Sequence, residues 1–389
     1  MKPRVYFDAA ATSRQKPPSV LAAVHECLAE IGCSPGRGGY ECALDAGRLV
    51  LETRLAVAGL FNVPAPEQVV FTHNITYALN MAIKGLLRPG DHVVTTAMEH
   101  NAVVRPLCGL AQRAQVSTTF VPCDRQGRLD PADVAAAIRP NTRLLVATHA
   151  SNVTGTIMPL AELGRVARES GAFFAADTAQ TAGVCDLDFQ ALGLDVLAFT
   201  GHKGLLGLPG TGGFAVSRRA AEAMVPLIEG GTGSLSDREL QPDFLPDRFE
   251  SGTMNTPGLA GLRAGIAFLQ QEGLARVRRH EQELTARLLE GLTQLPGVTV
   301  HGPGDTRQQT ATVSITVDGW DLGELAFVLD DRFGIMTRSG LHCAPLAHQT
   351  IGTYPAGTLR LSLGYFNTVG EVEYVVESLG RLCLSPGCQ

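Results

Sequence analysis

The sequence predicts an α/β protein: a large, mostly parallel sheet covered on both faces, followed by a smaller α+β unit. Three observations lead there. Short apolar runs alternate with helix-period segments from about residue 69 to residue 199, as in βα units whose strands are buried on both faces. Polar clusters follow several of those runs, which places them at strand C-terminal ends, where open α/β sheets hold their ligands. A long Arg- and Glu-rich helical stretch over residues 258–295 then leads out to two further strands and two further helices.

Taken in order, residues 17–30 read as a helix, Ser34-Pro-Gly-Arg-Gly-Gly39 as a glycine-rich loop and residues 41–61 as a second helix. Val69-Val-Phe-Thr72 is a strand leading into a helix from Thr76, and residues 91–96 form the next strand. Residues 118–122, 142–148, 172–176 and 196–199 continue the series of short apolar strands. Helical patterns fill the intervals, as at 132–138 and 160–170. Within 258–295 only Gly273 interrupts the helical pattern; beyond it, 311–317 and 358–363 read as strands, and 322–331 and 371–382 as helices. The expected boundary falls near Pro257. Residues 15–257 would form the large domain and 258–389 the small one, with residues 1–14 packing at the active site or on the small domain. No internal repeat or low-complexity tract is present.

A chain of 389 residues is about twice a typical domain, and 45% hydrophobic with 18% charged residues is an ordinary globular balance. A formal charge of −6 argues against nucleic acid or an anionic membrane as the main partner. No apolar stretch reaches transmembrane length, and Met1-Lys-Pro-Arg-Val-Tyr-Phe-Asp8 lacks a signal-peptide hydrophobic region. A soluble, cytoplasmic protein with no membrane partner is expected. The 9 cysteines are scattered, without a Cys-x-x-Cys pair, so most should be free thiols in a reducing cytosol. No close Cys/His pairs recur at finger spacing, so no metal site is expected. Cys383 and Cys388 read as tail residues; Cys343 stands apart from both.

The chemistry-bearing residues begin with Lys203, which closes Phe199-Thr-Gly-His-Lys203, and with Asp177, in Phe174-Ala-Ala-Asp-Thr-Ala-Gln180. A lysine and an aspartate arriving at one sheet edge suit pyridoxal phosphate: the lysine as Schiff-base partner, the aspartate on the pyridinium nitrogen. Singly, each has a plainer account, as a surface lysine and a helix-capping aspartate. Phe71-Thr-His-Asn-Ile-Thr76 runs from a strand into a helix start, so Asn74, Ile75 and Thr76 sit where free backbone N–H groups favour a phosphate. Ordinary N-capping by Asn74 or Thr76 is the alternative. Thr200 and His202 would complete the phosphate cup, and Gly207-Leu-Pro-Gly-Thr-Gly-Gly213 permits close backbone approach. His100, in Glu99-His100-Asn101, would lie on the cofactor ring and relay protons. Asn152 follows another strand and would contact the cofactor's phenolic oxygen or the substrate carboxylate, or simply form a turn.

The C-terminal unit adds Arg338-Ser-Gly-Leu-His-Cys-Ala-Pro345 and then Arg360. Cys343 lies in a loop bounded by Gly340 and Pro345 beside His342, the setting of a nucleophilic thiol. In Thr358-Leu-Arg-Leu-Ser-Leu363, strand alternation puts Arg360 and Ser362 on one face and the three leucines on the other. A guanidinium there needs an anion: a substrate carboxylate held bidentately, or a protein carboxylate in a salt bridge.

Together these residues resemble the pyridoxal-phosphate-dependent cysteine desulfurases of the class V aminotransferase superfamily, in family order along nearly the whole chain. The motifs are Tyr6-Phe-Asp-Ala-Ala-Ala-Thr12, Phe71-Thr-His-Asn-Ile-Thr76, Glu99-His-Asn-Ala102, Ser151-Asn-Val-Thr-Gly155 and Asp177-Thr-Ala-Gln180. Thr200-Gly-His-Lys203, Glu250-Ser-Gly-Thr253, Arg338-Ser-Gly-Leu-His-Cys343 and Arg360-Leu-Ser-Leu363 complete the set. The short Gly-Leu-His-Cys-Ala-Pro loop resembles group II members, which include selenocysteine lyases; group I members carry a longer, serine-rich loop. Leu341 stands where many group II members have histidine, and Thr200 replaces the usual serine.

The resemblance implies fold type I of the pyridoxal-phosphate-dependent transferases. It implies that Lys203 carries the cofactor and removes the α proton, while Asp177 keeps the ring nitrogen protonated. His100 would stack on the ring, Gln180 would bond the phenolic oxygen, and Asn152, Arg338 and Arg360 would bind the substrate. Cys343 would take sulfur from L-cysteine as a persulfide, release alanine, and pass the sulfur to an acceptor protein, as in iron–sulfur cluster assembly. It also implies a homodimer in which Thr253 reaches the neighbouring subunit's phosphate. The rivals are a selenocysteine lyase acting on L-selenocysteine, a class V aminotransferase in which Cys343 is incidental, and a silent partner-binding scaffold. An intact Lys203, Asp177 and His100 argues against the scaffold.

Overall fold

The structure, a computed structural model, describes residues 4–36 and 38–384. In chain order the strands are β1 (Val5–Tyr6), β2 (Val69–Thr72), β3 (His92–Thr96), β4 (Ser117–Val121), β5 (Thr142–Thr148), β6 (Phe173–Asp177) and β7 (Val196–Thr200). They continue with β8 (Gly212–Val216), β9 (Val298–His301), β10 (Thr312–Val317), β11 (Ile335–Met336), β12 (Arg338–Gly340) and β13 (Thr358–Ser362). The helices are α1 (Pro18–Glu26), α2 (Glu41–Leu60), α3 (Ile75–Leu86), α4 (Asn101–Ala114), α5 (Pro131–Ala137) and α6 (Leu160–Ser170). They continue with α7 (Arg218–Ala223), α8 (Thr256–Glu272), α9 (Leu274–Thr293), α10 (Leu322–Val328), α11 (Pro345–Ile351) and α12 (Val369–Cys383).

The large sheet runs in the order β2-β8-β7-β6-β5-β3-β4, parallel throughout except that β8 is antiparallel to both neighbours. Period-2 alternation divides its side chains between two cores. Phe71, Leu145, Phe174, Leu197 and Phe199 face a cluster that holds α2, α6 and α8. Val70, Leu144, Phe173, Val196 and Phe214 face a second cluster, covered by α3, α4 and α7. Residues buried on both faces explain why these strands read as unbroken apolar runs. The fold is the one expected, α/β with a large mostly parallel sheet.

The smaller unit is a four-stranded antiparallel sheet, β12-β13-β10-β9. Leu359 and Leu361 of β13 and Val313 and Ile315 of β10 pack against α9, α10 and α12. The opposite, polar face carries Ser314, Thr358, Arg360 and Ser362 and turns toward the large sheet, where Ser314 Oγ donates to Val153 O at 2.6 Å. Strand β1 pairs in parallel with β11, and Val5 and Phe7 join this third core. The cores change hands along α9, with Val277 in the first and Leu284 and Leu288 in the third.

Two local expectations change. Residues 17–30 are not one helix: α1 stops at Glu26, a π-turn covers Cys27–Ile31, and Gly32 ends it at φ 57°. Gly273, at φ 82° and ψ 121°, does more than interrupt a helix, because it separates α8 from α9. The glycines of the 207–213 run reach into the start of β8 and make the close backbone approach expected of them. A Cβ on Gly212 would sit 2.8 Å from Asn74 Cα, and one on Gly213 would sit 2.3 Å from Val70 O. Among the described residues no helix is long and apolar enough to cross a membrane.

Candidate active site

Four neighbouring strands deliver the predicted residues to one edge. β7 ends at Thr200 and turns to Lys203, β6 ends at Asp177, β5 leads to Asn152, and β3 leads to His100. Asp177 is buried, and its Oδ1 accepts from Ala179 N at 2.9 Å. Burial pushes its carboxyl above the ordinary range, with the Lys203 ammonium pulling the other way. Burial likewise pushes Lys203 down to about 8, opposed by Asp177 and reinforced by Arg360 and Arg338. Lys203 and Gln180 line a cavity of about 450 Å³ with Tyr6, Ala9 and Ala10 of the N-terminal segment. Gln180 Nε2 donates to Ala10 O at 3.1 Å.

His100 caps α4: its Nδ1 accepts from Ala102 N at 3.0 Å. An Nδ1 that accepts leaves the proton on Nε2. Burial, then the positive charges of Lys203, Arg338, Arg105 and Arg360, push its pKa down to about 4, so it is a neutral N–H donor near pH 7. The adjacent Glu99, not assigned from the sequence, braces this turn. Its Oε1 accepts from Thr96 Oγ1 at 2.7 Å and from Thr148 N at 2.9 Å, tying the ends of β3 and β5 together. Burial pushes Glu99 up to about 8, so it sits there chiefly as the neutral acid.

At the phosphate corner, Asn74 Oδ1 caps α3 by accepting from Tyr77 N at 3.2 Å, the capping role foreseen as the alternative for this residue. Among the described residues the N–H groups of Ile75 and Thr76 meet no protein acceptor, as first-turn amides do. Thr200 Oγ1 is buried without a partner. Thr200 pairs in register with Gly212, which lies against Asn74. These groups therefore converge. His202 is differently engaged: its Nδ1 meets Thr12 Oγ1 at 3.0 Å, and its carbonyl accepts from Ser13 N at 2.9 Å. Burial, with Lys203 and Lys16 nearby, pushes its pKa down to about 4. Thr253 is exposed and lines a separate small cavity with Thr72, His73 and Tyr77. Its segment is anchored by Glu250, which takes a bidentate pair from Arg54 at 2.7 and 2.8 Å and accepts from Phe71 N at 2.6 Å.

The cysteine loop is held open by the large unit. His342 and Cys343 both adopt left-handed φ, 49° and 58°, which is uncommon outside glycine. Both of their carbonyls are pinned: His342 O accepts from Asn152 Nδ2 at 2.7 Å and Cys343 O from Asn101 N at 2.8 Å. The thiol is thereby exposed, with Arg338 Nη2 at 3.9 Å from Sγ. His342 corrects the sequence reading. Its ring is buried, Nε2 donates to Thr358 O at 3.1 Å, and burial pushes its pKa down to about 2. It braces the loop and does not serve the thiol as a base.

Arg360 lies on the predicted face and is buried, but it is not free. Nη2 meets Asp8 Oδ1 at 2.6 Å and Nη1 donates to Asn152 O at 3.0 Å, while Nε lacks a partner. The protein carboxylate, foreseen as the alternative, is present. Arg338 stands opposite Arg360 in the β12–β13 register, and among the described residues its guanidinium has only the Cys343 sulfur as a hydrogen-bond partner.

The orphaned Thr200 hydroxyl, the open α3 amides and a buried aspartate beside a lysine fit pyridoxal phosphate. A large sheet with this Lys–Asp edge, closed by a small C-terminal unit, is fold type I of the pyridoxal-phosphate-dependent enzymes. The aminotransferase class-V family model matches residues 5–375, and the chain belongs to that family. A probable cysteine desulfurase of Methanothermobacter thermautotrophicus is 35% identical over 98% of this chain and 95% of its own. The cysteine desulfurase of Pectobacterium atrosepticum is 32% identical over 98% of this chain and 93% of its own. The apo structure of cysteine desulfurase from Thermococcus onnurineus NA1 superposes with a TM-score of 0.92 at 34% identity, covering 98% of this chain and 95% of that one.

Proposed function

We propose that this chain is a cysteine desulfurase that converts L-cysteine to L-alanine and carries the sulfur as a persulfide on Cys343. The observation that carries the reading is the pinned, exposed Cys343 thiol presented beside the Lys203, Asp177 and His100 edge. Bound pyridoxal phosphate would supply an electron sink for negative charge developing at the substrate Cα. Ile75 and Thr76 N–H with the Thr200 hydroxyl would hold its phosphate, and His202 would steady the corner through Thr12. Asp177 would face the ring nitrogen, His100 the ring, and Gln180 the phenolic oxygen.

Lys203, with its proton affinity already lowered, takes the α proton. Cys343 attacks the substrate sulfur as a thiolate: a sulfur–sulfur bond forms, the carbon–sulfur bond breaks with its electron pair passing to carbon, and one proton delivered to Cβ and one returned to Cα complete alanine. The persulfide then passes to a sulfur-acceptor protein, in a cytoplasm reducing enough to keep the thiols free. Leu21, Leu28, Leu44, Leu51 and Leu55 are exposed on α1, its π-turn and α2, apolar surface that suits a homodimer in which Thr253 would reach the partner's phosphate.

With pyridoxal phosphate and a thiol reductant, the protein should release sulfide and alanine in equal amounts from L-cysteine. Selenide release from L-selenocysteine, run beside it, ranks the two substrates. Amino-group transfer to a keto acid with no sulfide would overturn the desulfurase reading.

Arg338 and Arg360 would share the substrate carboxylate, with Asn152 beside them. Arg360→Lys keeps a charge but loses the fork that spans Asp8 and Asn152 O. It should raise the KM for cysteine by roughly tenfold or more, and Arg360→Ala further, since loss of a buried charge-assisted contact costs about 2–5 kcal/mol. Because removing Arg360 also unpairs Asp8, Arg338→Lys is the cleaner control. An unchanged KM in both lysine variants would remove the arginines from substrate binding.

A further inference from the structure

Two buried hydroxyls on the polar face of the small sheet link the cysteine loop to the large unit by a second route. Among the described residues His342 Nδ1 is buried without a partner, so the ring's polar hold runs through Nε2. That nitrogen lies 3.1 Å from Thr358 O and 3.2 Å from Thr358 Oγ1. Thr358 Oγ1 donates to Ser314 Oγ at 3.0 Å, and Ser314 Oγ donates to Val153 O at 2.6 Å. Each hydroxyl thus receives one hydrogen bond and gives its single proton to the next. Val153 follows Asn152, whose Nδ2 donates back to His342 O at 2.7 Å. The path closes on itself, and His342, Thr358, Ser314 and Asn152 are all buried. The His342 ring also packs against that of His348, with centroids 5.6 Å apart, and His348 Nδ1 is held by Thr353 Oγ1 at 2.7 Å.

We propose that Ser314 and Thr358 are positioning residues, which with His342 and Asn152 form a closed hydrogen-bond circuit that fixes the Cys343 loop against the Asn152 turn. The consequence for turnover rests on the desulfurase reading; the circuit itself does not. A buried hydrogen-bond network holds one arrangement, and cutting it leaves polar groups unpaired on both sides of the break. Cys343 follows His342 directly and sits at a left-handed φ of 58°, so the carbonyl and ring of His342 together set where the thiol stands. The same turn receives Arg360, whose Nη1 donates to Asn152 O. Neither Lys203 nor Asp177 belongs to the circuit, which therefore bears on the sulfur step and not on the exchange of cofactor between lysine and substrate.

The test compares Thr358→Val, Thr358→Ser and Ser314→Ala with the parent, as full chains loaded with pyridoxal phosphate. Thr358→Val loses the hydroxyl and keeps the Thr358 carbonyl; Thr358→Ser keeps both. Thr358→Val and Ser314→Ala should each lower kcat for sulfide release from L-cysteine roughly tenfold, with the visible response to L-cysteine saturating as in the parent. Thr358→Ser should restore most of the loss. A double Ser314→Ala, Thr358→Val variant should cost no more than the worse single change, since either one opens the same circuit. A second readout needs no turnover. The Asn101 amide is held by Cys343 O, so its hydrogen exchange should quicken at least about threefold in Thr358→Val and keep the parent rate in Thr358→Ser. Parent-like kcat in both single variants, or parent-like exchange in Thr358→Val, would overturn the proposal. So would additive losses in the double variant, or a Thr358→Ser chain as impaired as Thr358→Val. A parent that releases no sulfide would defeat the desulfurase reading alone, and exchange at Asn101 would still decide for or against the circuit.

Discussion

Lys203→Ala is expected to abolish turnover, by roughly a thousandfold or more, because one side chain both carries the cofactor and moves the α proton. The fold should survive. Lys203 lies in the turn after β7 and lines the cavity, outside the three apolar cores. Stability should even improve slightly at low pH. The folded protein holds this lysine at about 8, below its unfolded value, so the charged form disfavours folding. That penalty is fully present below the folded pKa and fades as pH rises toward the unfolded one. Melting curves of parent and variant should therefore differ most below pH 8 and converge above it. The decisive measurement is borohydride treatment with pyridoxal phosphate, followed by peptide mapping. The parent should gain the cofactor's mass on the Lys203 peptide, with capture becoming faster up to about pH 8 as the free amine accumulates. The variant should gain none there. Turnover near the parent rate without Lys203 would sink the assignment.

Cys343→Ala is expected to lose desulfuration of L-cysteine to a similar extent, roughly a thousandfold, while still responding to L-cysteine in the visible spectrum. The two steps separate because Cys343 stands on the β12–α11 loop while Lys203 and Asp177 stand on the large sheet. The left-handed φ of 58° at Cys343 is no less demanding for alanine than for cysteine. The backbone pins from Asn101 and Asn152 also remain in the variant. Loss of activity would thus report the missing sulfur and not a collapsed loop. Desulfuration near the parent rate would make another group the nucleophile. Selenocysteine is a less stringent probe, since its weaker carbon–selenium bond lets elimination proceed without the thiol.

The sheet and most of its edge were legible along the chain. Val69–Thr72, Thr142–Thr148 and Val196–Thr200 are short runs buried on both faces, and burial demands the apolar residues that announce them. Site residues follow such runs directly in sequence, so Asp177, Asn152, Thr200 and Lys203 were placed at the edge by their position alone. The face of Arg360 was legible for a related reason, since strand alternation is a local property. β8 was not, because its two leading glycines answer to the backbones of Asn74, Phe199 and Val70, which arrive from elsewhere.

What the sequence by itself determined is the set of groups and the sheet edge that collects them. Only the tertiary structure decided how those groups are committed. Arg360 meets a carboxylate 352 positions away, and no local pattern specifies such a pair. His342 adjoins Cys343 in the chain yet turns inward to Thr358. His100 keeps its proton on Nε2 because the Ala102 amide occupies Nδ1. Strands and helices follow from short-range periodicity and burial. Ion-pair partners, tautomers and the direction of a side chain depend on which distant backbone fills the remaining space, and that is fixed only when the units close on one another.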